Sequence, residues 1–136
     1  MADLGGIATR VLTWLGSQSF TPAIRELTQD ASLPPAAYPQ VAVIVDEERF
    51  TPGADDVTAR LRLRVKNAAG RRADSLAGVR GLARQLRLGL HASHNLGGSV
   101  KYLRTLGIVY DVQAAPGNMV VSSAELSLEA KYVQQG

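Results

Sequence analysis

The spacing of hydrophobic positions changes several times along this chain, and each change marks an element. Leu4, Ile7, Ala8, Val11, Leu12 and Leu15 recur at helical spacing, which predicts an amphipathic first helix capped by Asp3 and stopped at Gly16. Trp14, the single tryptophan, lies one position off that stripe. A large aromatic there belongs at the edge of the core or against a partner, and the usual burial of tryptophan favours the core edge. No period persists from Ser17 to Gln40. Ile24 to Gln29 could form one helical turn, while Pro34, Pro35 and Pro39 demand extended chain, so the segment reads as a connector.

Val41 to Val45 is a β-branched apolar run between Pro39 and the acids Asp46, Glu47 and Glu48, the pattern of a short buried strand. Phe50 to Asp56, with Thr51, Pro52 and Gly53, reads as a turn. Val57, Ala59, Leu61, Leu63 and Val65 then alternate with Thr58, Arg60, Arg62, Arg64 and Lys66. This predicts a half-buried strand with one basic face, paired with the preceding run as an antiparallel hairpin. After a polar loop at Asn67 to Arg72, Asp74 is placed to cap a helix with apolar positions Leu76, Val79, Leu82, Ala83, Leu86 and Leu90. Gly78, Gly81 and Gly89 weaken that helix, and their presence suggests close packing of its backbone on the sheet. Asn95 to Gly98 turns the chain into a β-rich stretch from Ser99 to Gln113. Ala114 to Asn118 is the next turn, and a last strand alternates from Val120 to Tyr132, completing a second long hairpin.

Helix, strand, strand, helix, strand, strand predicts an α+β fold. The expected sheet is antiparallel or mixed, with about four long strands and two main helices packed on one face. A length of 136 residues fits a single domain spanning 1–136 that can bury a core without staples. The absence of cysteine from the sequence excludes disulfides, thiolate metal sites and a cysteine nucleophile. No apolar run approaches a membrane span, and the acid at Asp3 is unlike a signal peptide, so the expectation is a soluble protein with no membrane partner.

Charge adds what the periodicity does not show. The formal net charge is +3, yet eleven Lys or Arg face only Asp74 between Val57 and Tyr110. Segregation of this kind favours a polar partner, either nucleic acid or a copy presenting the opposite sign. The row Arg60, Arg62, Arg64 and Lys66 invites a nucleic-acid reading. Against it, none of the seven aromatic residues alternates with these arginines as a stacking platform would. Pairing with Glu125 and Glu129 on a neighbouring strand, within the chain or across a subunit boundary, accounts better for the row.

Candidate chemistry is sparse. His91 and His94, three apart near a helix end, supply two ligands where zinc wants three or four, and no metal is expected. Asp46, Glu47, Glu48, Asp55 and Asp56 could hold a divalent cation through carboxylate oxygens, but read more plainly as a solvated acidic tip. There is no Gly-x-Ser-x-Gly elbow and no phosphate-binding glycine loop at Gly97 and Gly98, so neither a catalytic residue nor a cofactor is expected.

The order of elements carries a resemblance. An N-terminal helix leads through a proline-bearing connector to Tyr38-Pro39-Gln40-Val41-Ala42-Val43-Ile44-Val45. An acidic hairpin, an alternating strand and a helix of about seventeen residues follow. That helix closes at Leu96-Gly97-Gly98-Ser99-Val100, and two long strands end the pattern. Over nearly its full length the chain resembles the tail terminator (tail completion, head-to-tail joining) proteins of long-tailed bacteriophages. The resemblance implies a non-enzymatic homo-hexameric ring in the virion, at the head-proximal end of the tail, assembled in the host cytoplasm. Such a ring ends tube polymerisation and meets the tail tube protein, the head-tail connector or stopper and, in contractile tails, the sheath. DNA passes through its lumen without sequence-specific binding. Within that frame, charge assigns Arg60, Arg62, Arg64, Arg84, Glu125 and Glu129 to ring contacts. Asp46, Glu47, Glu48, Asp55, Asp56, Gly117 and Asn118 are assigned to the tube, sheath or connector. Other neck or tail-tube components and a small basic nucleic-acid-binding module are the alternatives.

Overall fold

The computed structural model describes residues 6–18, 24, 26–29, 38–53, 55–115 and 117–133. Its elements follow in the order α1 (Ile7–Gly16), β1 (Glu26–Thr28), β2 (Gln40–Phe50), β3 (Asp56–Ala69), α2 (Arg72–Ala92), a 3₁₀ turn (Leu96–Gly98), β4 (Tyr102–Ala115) and β5 (Met119–Val133). Five strands form one mixed sheet in the order β1-β2-β3-β5-β4. Only β1 and β2 run parallel; the other neighbours are antiparallel. The fold is α+β, as the sequence predicts, with four long strands and a fifth of three residues.

Alternation places the core. On β3, Val57, Ala59, Leu61, Leu63 and Val65 are all buried, and on β5 so are Ala124, Leu126, Leu128, Ala130 and Tyr132. Register pairs these two sets directly, Leu61 with Leu128 and Leu63 with Leu126, so they share one face. Ile7, Val11, Trp14 and Leu15 of α1 and Val79, Leu82, Ala83, Leu86 and Leu90 of α2 belong to the same cluster. Both helices therefore cover one face of the sheet. Trp14, 6% exposed, belongs to the core cluster and also lines an open cavity with Thr13 and Leu96.

Several sequence expectations are corrected. In place of the expected helical turn in Ile24 to Gln29, Glu26–Thr28 adds to the sheet edge beside Gln40–Ala42, because backbone pairing with an existing strand satisfies groups that an isolated turn would leave to water. The first strand of the hairpin does not stop at Val45 but continues through the acids to Phe50, since pairing with β3 outweighs the low strand preference of acidic residues. Asn67 to Ala69 extend β3 rather than forming a loop. Asp74 is not the cap of α2; Arg71 occupies that position with no side-chain cap, and Asp74 lies in the first turn, where a carboxylate still meets the positive end of the helix dipole. Close helix packing is real at Gly78, where a Cβ would collide with the Asn67 side chain, but at Gly81 the space is open. The Asp3 cap, Leu4, Pro34, Pro35 and Pro116 lie outside the described residues.

Arg10, on the buried side of α1, ties three remote segments together. Its guanidinium donates to the Ser99 carbonyl (2.8 Å) and the Val133 carbonyl (3.1 Å) and stacks 4.7 Å from the centre of the Tyr132 ring. At the end of α2, Leu96, Gly97 and Gly98 take φ of 50°, 72° and 95°, the left-handed region that glycine enters most cheaply. This reverses the chain into β4. Gly117 and Asn118, at φ of 78° and 60°, do the same between β4 and β5, using the two residue types best suited to it.

Candidate functional site: charge on the open face and along the second helix

The face of the sheet away from the helices is charged because alternation sends Arg60, Arg62, Arg64, Glu125 and Glu129 there. Register sets Arg60 opposite Glu129 and Arg64 opposite Glu125, and the side chains close a ladder. Arg64 Nε meets Glu125 Oε1 at 2.8 Å, and Arg62 reaches Glu125 at 3.2 Å and Asp46 at 2.9 Å. Glu129 takes Arg104 at 2.7 Å, Arg60 at 3.6 Å and the Tyr102 hydroxyl at 3.1 Å. Partial burial opposes ionisation of Glu125, but hydrogen bonds from Arg64 and Arg62 outweigh it and hold its carboxyl below the ordinary value. Burial likewise opposes ionisation of Glu129, and Arg104 with Tyr102 outweighs it. The bond to Asp46, working against burial, raises the Arg62 guanidinium above its usual value. Arg60, Arg62 and Arg64 of the basic row thus find carboxylates within the chain, one of the two destinations that the sequence left open, while Lys66 takes part in none of these pairs.

The acids of the hairpin do not converge on one point. Asp46 is held by Arg62, and Asp56 by Lys101 at 2.7 Å and Lys131 at 3.8 Å. Glu47 pairs with Arg49, and Glu48 accepts from the Tyr132 hydroxyl at 3.2 Å. These carboxylates are spread over both faces of the hairpin. Among the described residues no group of three or more His, Asp or Glu could hold a metal ion.

On the surface beside α2 the sequence reading singled out Arg84 as a ring contact but not the stripe to which it belongs. Arg80, Arg84, Arg87 and His91 stand at intervals of four, three and four residues, which aligns them along one stripe of the helix about 16 Å long. The stripe faces the free edge of β4: Arg80 lies over the Tyr110 ring at 5.7 Å. Arg87, His91 and His94 join Leu103, Leu106 and Ile108 in lining an open groove of about 580 Å³. Among the described residues the ion pairs use none of Arg71, Arg72, Arg80, Arg84 and Arg87. The signal was present as helical spacing but was masked by the stronger alternation of β3.

Two bulges re-aim the outer strands. Register shifts between Val45 and Glu47 in β2 and between Thr105 and Gly107 in β4. In β4 the extra residue is Leu106, 46% exposed at the groove; in β2 the strand runs out to Phe50, 61% exposed. Gly117 and Asn118 lie at the opposite end of the sheet from the β2–β3 turn.

No family model and no curated protein matches the chain. Among solved structures it is similar to a chain from the virion of a native gene transfer agent (GTA) particle. The TM-score is 0.55 at 14% identity, with 97% of this chain and 98% of that chain covered. The likeness shows that the two share a fold from end to end.

Proposed function

We propose that this chain is a structural protein of a phage-like virion, and that it acts as a tail terminator: a hexameric ring on the head-proximal end of the tail tube. The observation that carries the reading is the end-to-end likeness in fold to a chain of a virion particle, with both chains almost wholly covered. The order of elements and the Leu96-Gly97-Gly98 junction support the finer assignment. Opposite charges segregated to different parts of one small subunit suit a closed head-to-tail ring, in which one patch meets its complement on the next copy.

In this reading the ring ends tube growth, joins the tail tube to the head connector and, where the tail contracts, meets the sheath. The Asp55–Asp56 turn and the Gly117–Asn118 turn lie at opposite ends of the sheet. With strands along the ring axis, one serves the tube or sheath and the other the connector. DNA crosses the lumen without base-specific contact, and no chemical step is catalysed.

Native mass and electron micrographs of the purified protein, over a range of concentration and salt, test this. Closed particles near six times 14.5 kDa, or capture of the protein on the ends of added tail tubes, are the expected outcomes. Long tubes formed by the protein alone would overturn the terminator assignment in favour of a tube subunit. A monomer that ignores tube ends and binds duplex DNA with a steep salt slope would overturn it in favour of a nucleic-acid module.

A further inference from the structure

We infer that the groove between α2 and the free edge of β4 receives the β2–β3 hairpin of a second copy of this chain, with Phe50 as its apolar anchor. The inference rests on the ring reading and names the contact that would build it. Three independent observations converge on this occupant.

The first is charge. Asp46 to Asp56 carries five acids and one base; Asp46, Glu47 and Asp56 pair within the chain and Glu48 accepts from Tyr132, but the segment keeps its acidic excess, whereas the stripe Arg80, Arg84, Arg87 and His91 has no carboxylate partner among the described residues. The arginines of β3 pair inside the chain, so among the described residues the surface lysines and arginines with no carboxylate partner are Lys66 and those at and along α2. Arg84 is the one sequence-assigned ring residue on that stripe.

The second is shape. Phe50 and Val45 are exposed at 61% and 37% on the outer strand of the hairpin, and Leu106 at 46% lies beside the groove. The groove is lined by Leu103, Leu106 and Ile108 on one side and by Arg87 and His91 on the other. An aromatic side chain with acids on its own strand fits an apolar slot rimmed by cations.

The third is position. β1 covers β2 only at Gln40–Ala42, so among the described residues the outer edge of β2 beyond Ala42 is bare, and β4 is the last strand on the other side. Donor and acceptor therefore lie on opposite edges of one sheet. Phe50 pairs with Val57 and Val57 with Tyr132, which sets Phe50 level with the Tyr102 end of the groove, while Val45 pairs with Leu61 and Leu61 with Leu128, which sets Val45 level with Leu106. Rotation about an axis along the strands keeps height constant, and patches on opposite edges at one height are what a closed ring brings together.

The test uses the full chain, whose sequence holds no cysteine. Val45→Cys and Leu106→Cys are introduced together, and the protein is treated with a short bifunctional thiol reagent. Within one subunit the two positions are about 14 Å apart across three strand spacings, too far for the short reagent to join. The expected result is a ladder of covalent oligomers ending at six, and only dimers when the two single variants are mixed. Val45→Cys with Gln113→Cys, on the same strand as Leu106 but away from the groove, should give at least about tenfold less product, and so should the paired variant carrying Arg87→Glu. Adding Glu47→Arg to the latter should restore it, since a reciprocal swap rebuilds the attraction.

A paired variant that cross-links no better than the Gln113 control overturns the inference, even if micrographs of the wild-type protein show rings; in that case the ring reading survives. A ladder continuing well past six keeps the contact and sinks the ring. If the ladder is absent while duplex DNA binds the wild type and fails to bind Arg84→Glu with Arg87→Glu, the stripe belongs to nucleic acid and the inference falls.

Discussion

Replacing Arg10 by Met removes a buried guanidinium while keeping a flexible stem of similar length. The side chain is part of a residue only 5% exposed, and it donates to two carbonyls, Ser99 at 2.8 Å and Val133 at 3.1 Å. Hydrogen bonds from a charged donor contribute about 1.5 kcal/mol each at the low end of their range, and stacking on Tyr132 adds roughly 0.5–1 kcal/mol. Methionine recovers some apolar packing, so the expected loss is about 3 kcal/mol. For a domain of this size that corresponds to a fall of about 10 °C in Tm. Urea unfolding followed by emission of Trp14 reads the change directly, because this single tryptophan lies in the core on the same helix. The midpoint should fall with an unchanged slope. Arg10→Lys should lose about half as much, since one ammonium cannot fork to two carbonyls. A midpoint for Arg10→Met within about 0.5 kcal/mol of wild type would refute the claim that Arg10 clamps α1, the Ser99 turn and the end of β5 together.

Glu125 and Glu129 both titrate lower in the folded chain than their ordinary 4.5, so their contribution is complete above that value and is lost as pH falls through the folded values. Unfolding free energy should therefore hold level down to about pH 5 and then drop. Glu125→Gln should reduce that acid dependence and cost about 1 kcal/mol at neutral pH, a figure kept small because solvent screens the partly exposed pairs. Leu126→Ala, at the fully buried centre of β5, should cost roughly 3–4 kcal/mol by chemical denaturation. Two glycines should respond with opposite sign. Gly97→Ala, at φ +72° with open space around it, should lose about 1 kcal/mol from conformation alone. Gly81→Ala, in an exposed helical turn with no atom near its missing Cβ, should gain roughly 0.5–1 kcal/mol.

The long elements were legible because each buries a single face, and a single buried face imposes a period. β3 and β5 show it most clearly: every apolar residue from Val57 to Val65 and from Ala124 to Tyr132 points to the helices. β1 was illegible for the complementary reason. Three half-buried residues at a sheet edge carry no period, and their place is decided by the strand they join. The extension of β2 through Asp46–Arg49 was hidden by composition, since its stability comes from backbone pairing with β3 and from cross-strand cations rather than from burial. The ion-pair ladder could be anticipated from residue types on alternating strands, but its register could not. The α2 stripe was written in the spacing of Arg80, Arg84 and Arg87, of which the sequence reading took only Arg84 as a contact residue, because the stronger alternation of β3 drew the basic residues to that strand.

β5 follows β4 in the chain yet lies between β3 and β4 in the sheet. While the polypeptide is being made, the β2–β3 hairpin and α2 emerge first and can pack on one another, but β3 keeps a bare edge and β4 has no neighbour. One late strand supplies both missing partners, pairing Asp56 with Val133 at one end and Ala69 with Val120 at the other. Such distant pairing is slow to form, and it makes closure of the sheet wait for its last strand: a nascent chain that has not yet exposed Val133 cannot close it. A nascent copy thus lacks the finished β4 edge, and the two flanks of the subunit become available together only after the strand that locks the interior is in place.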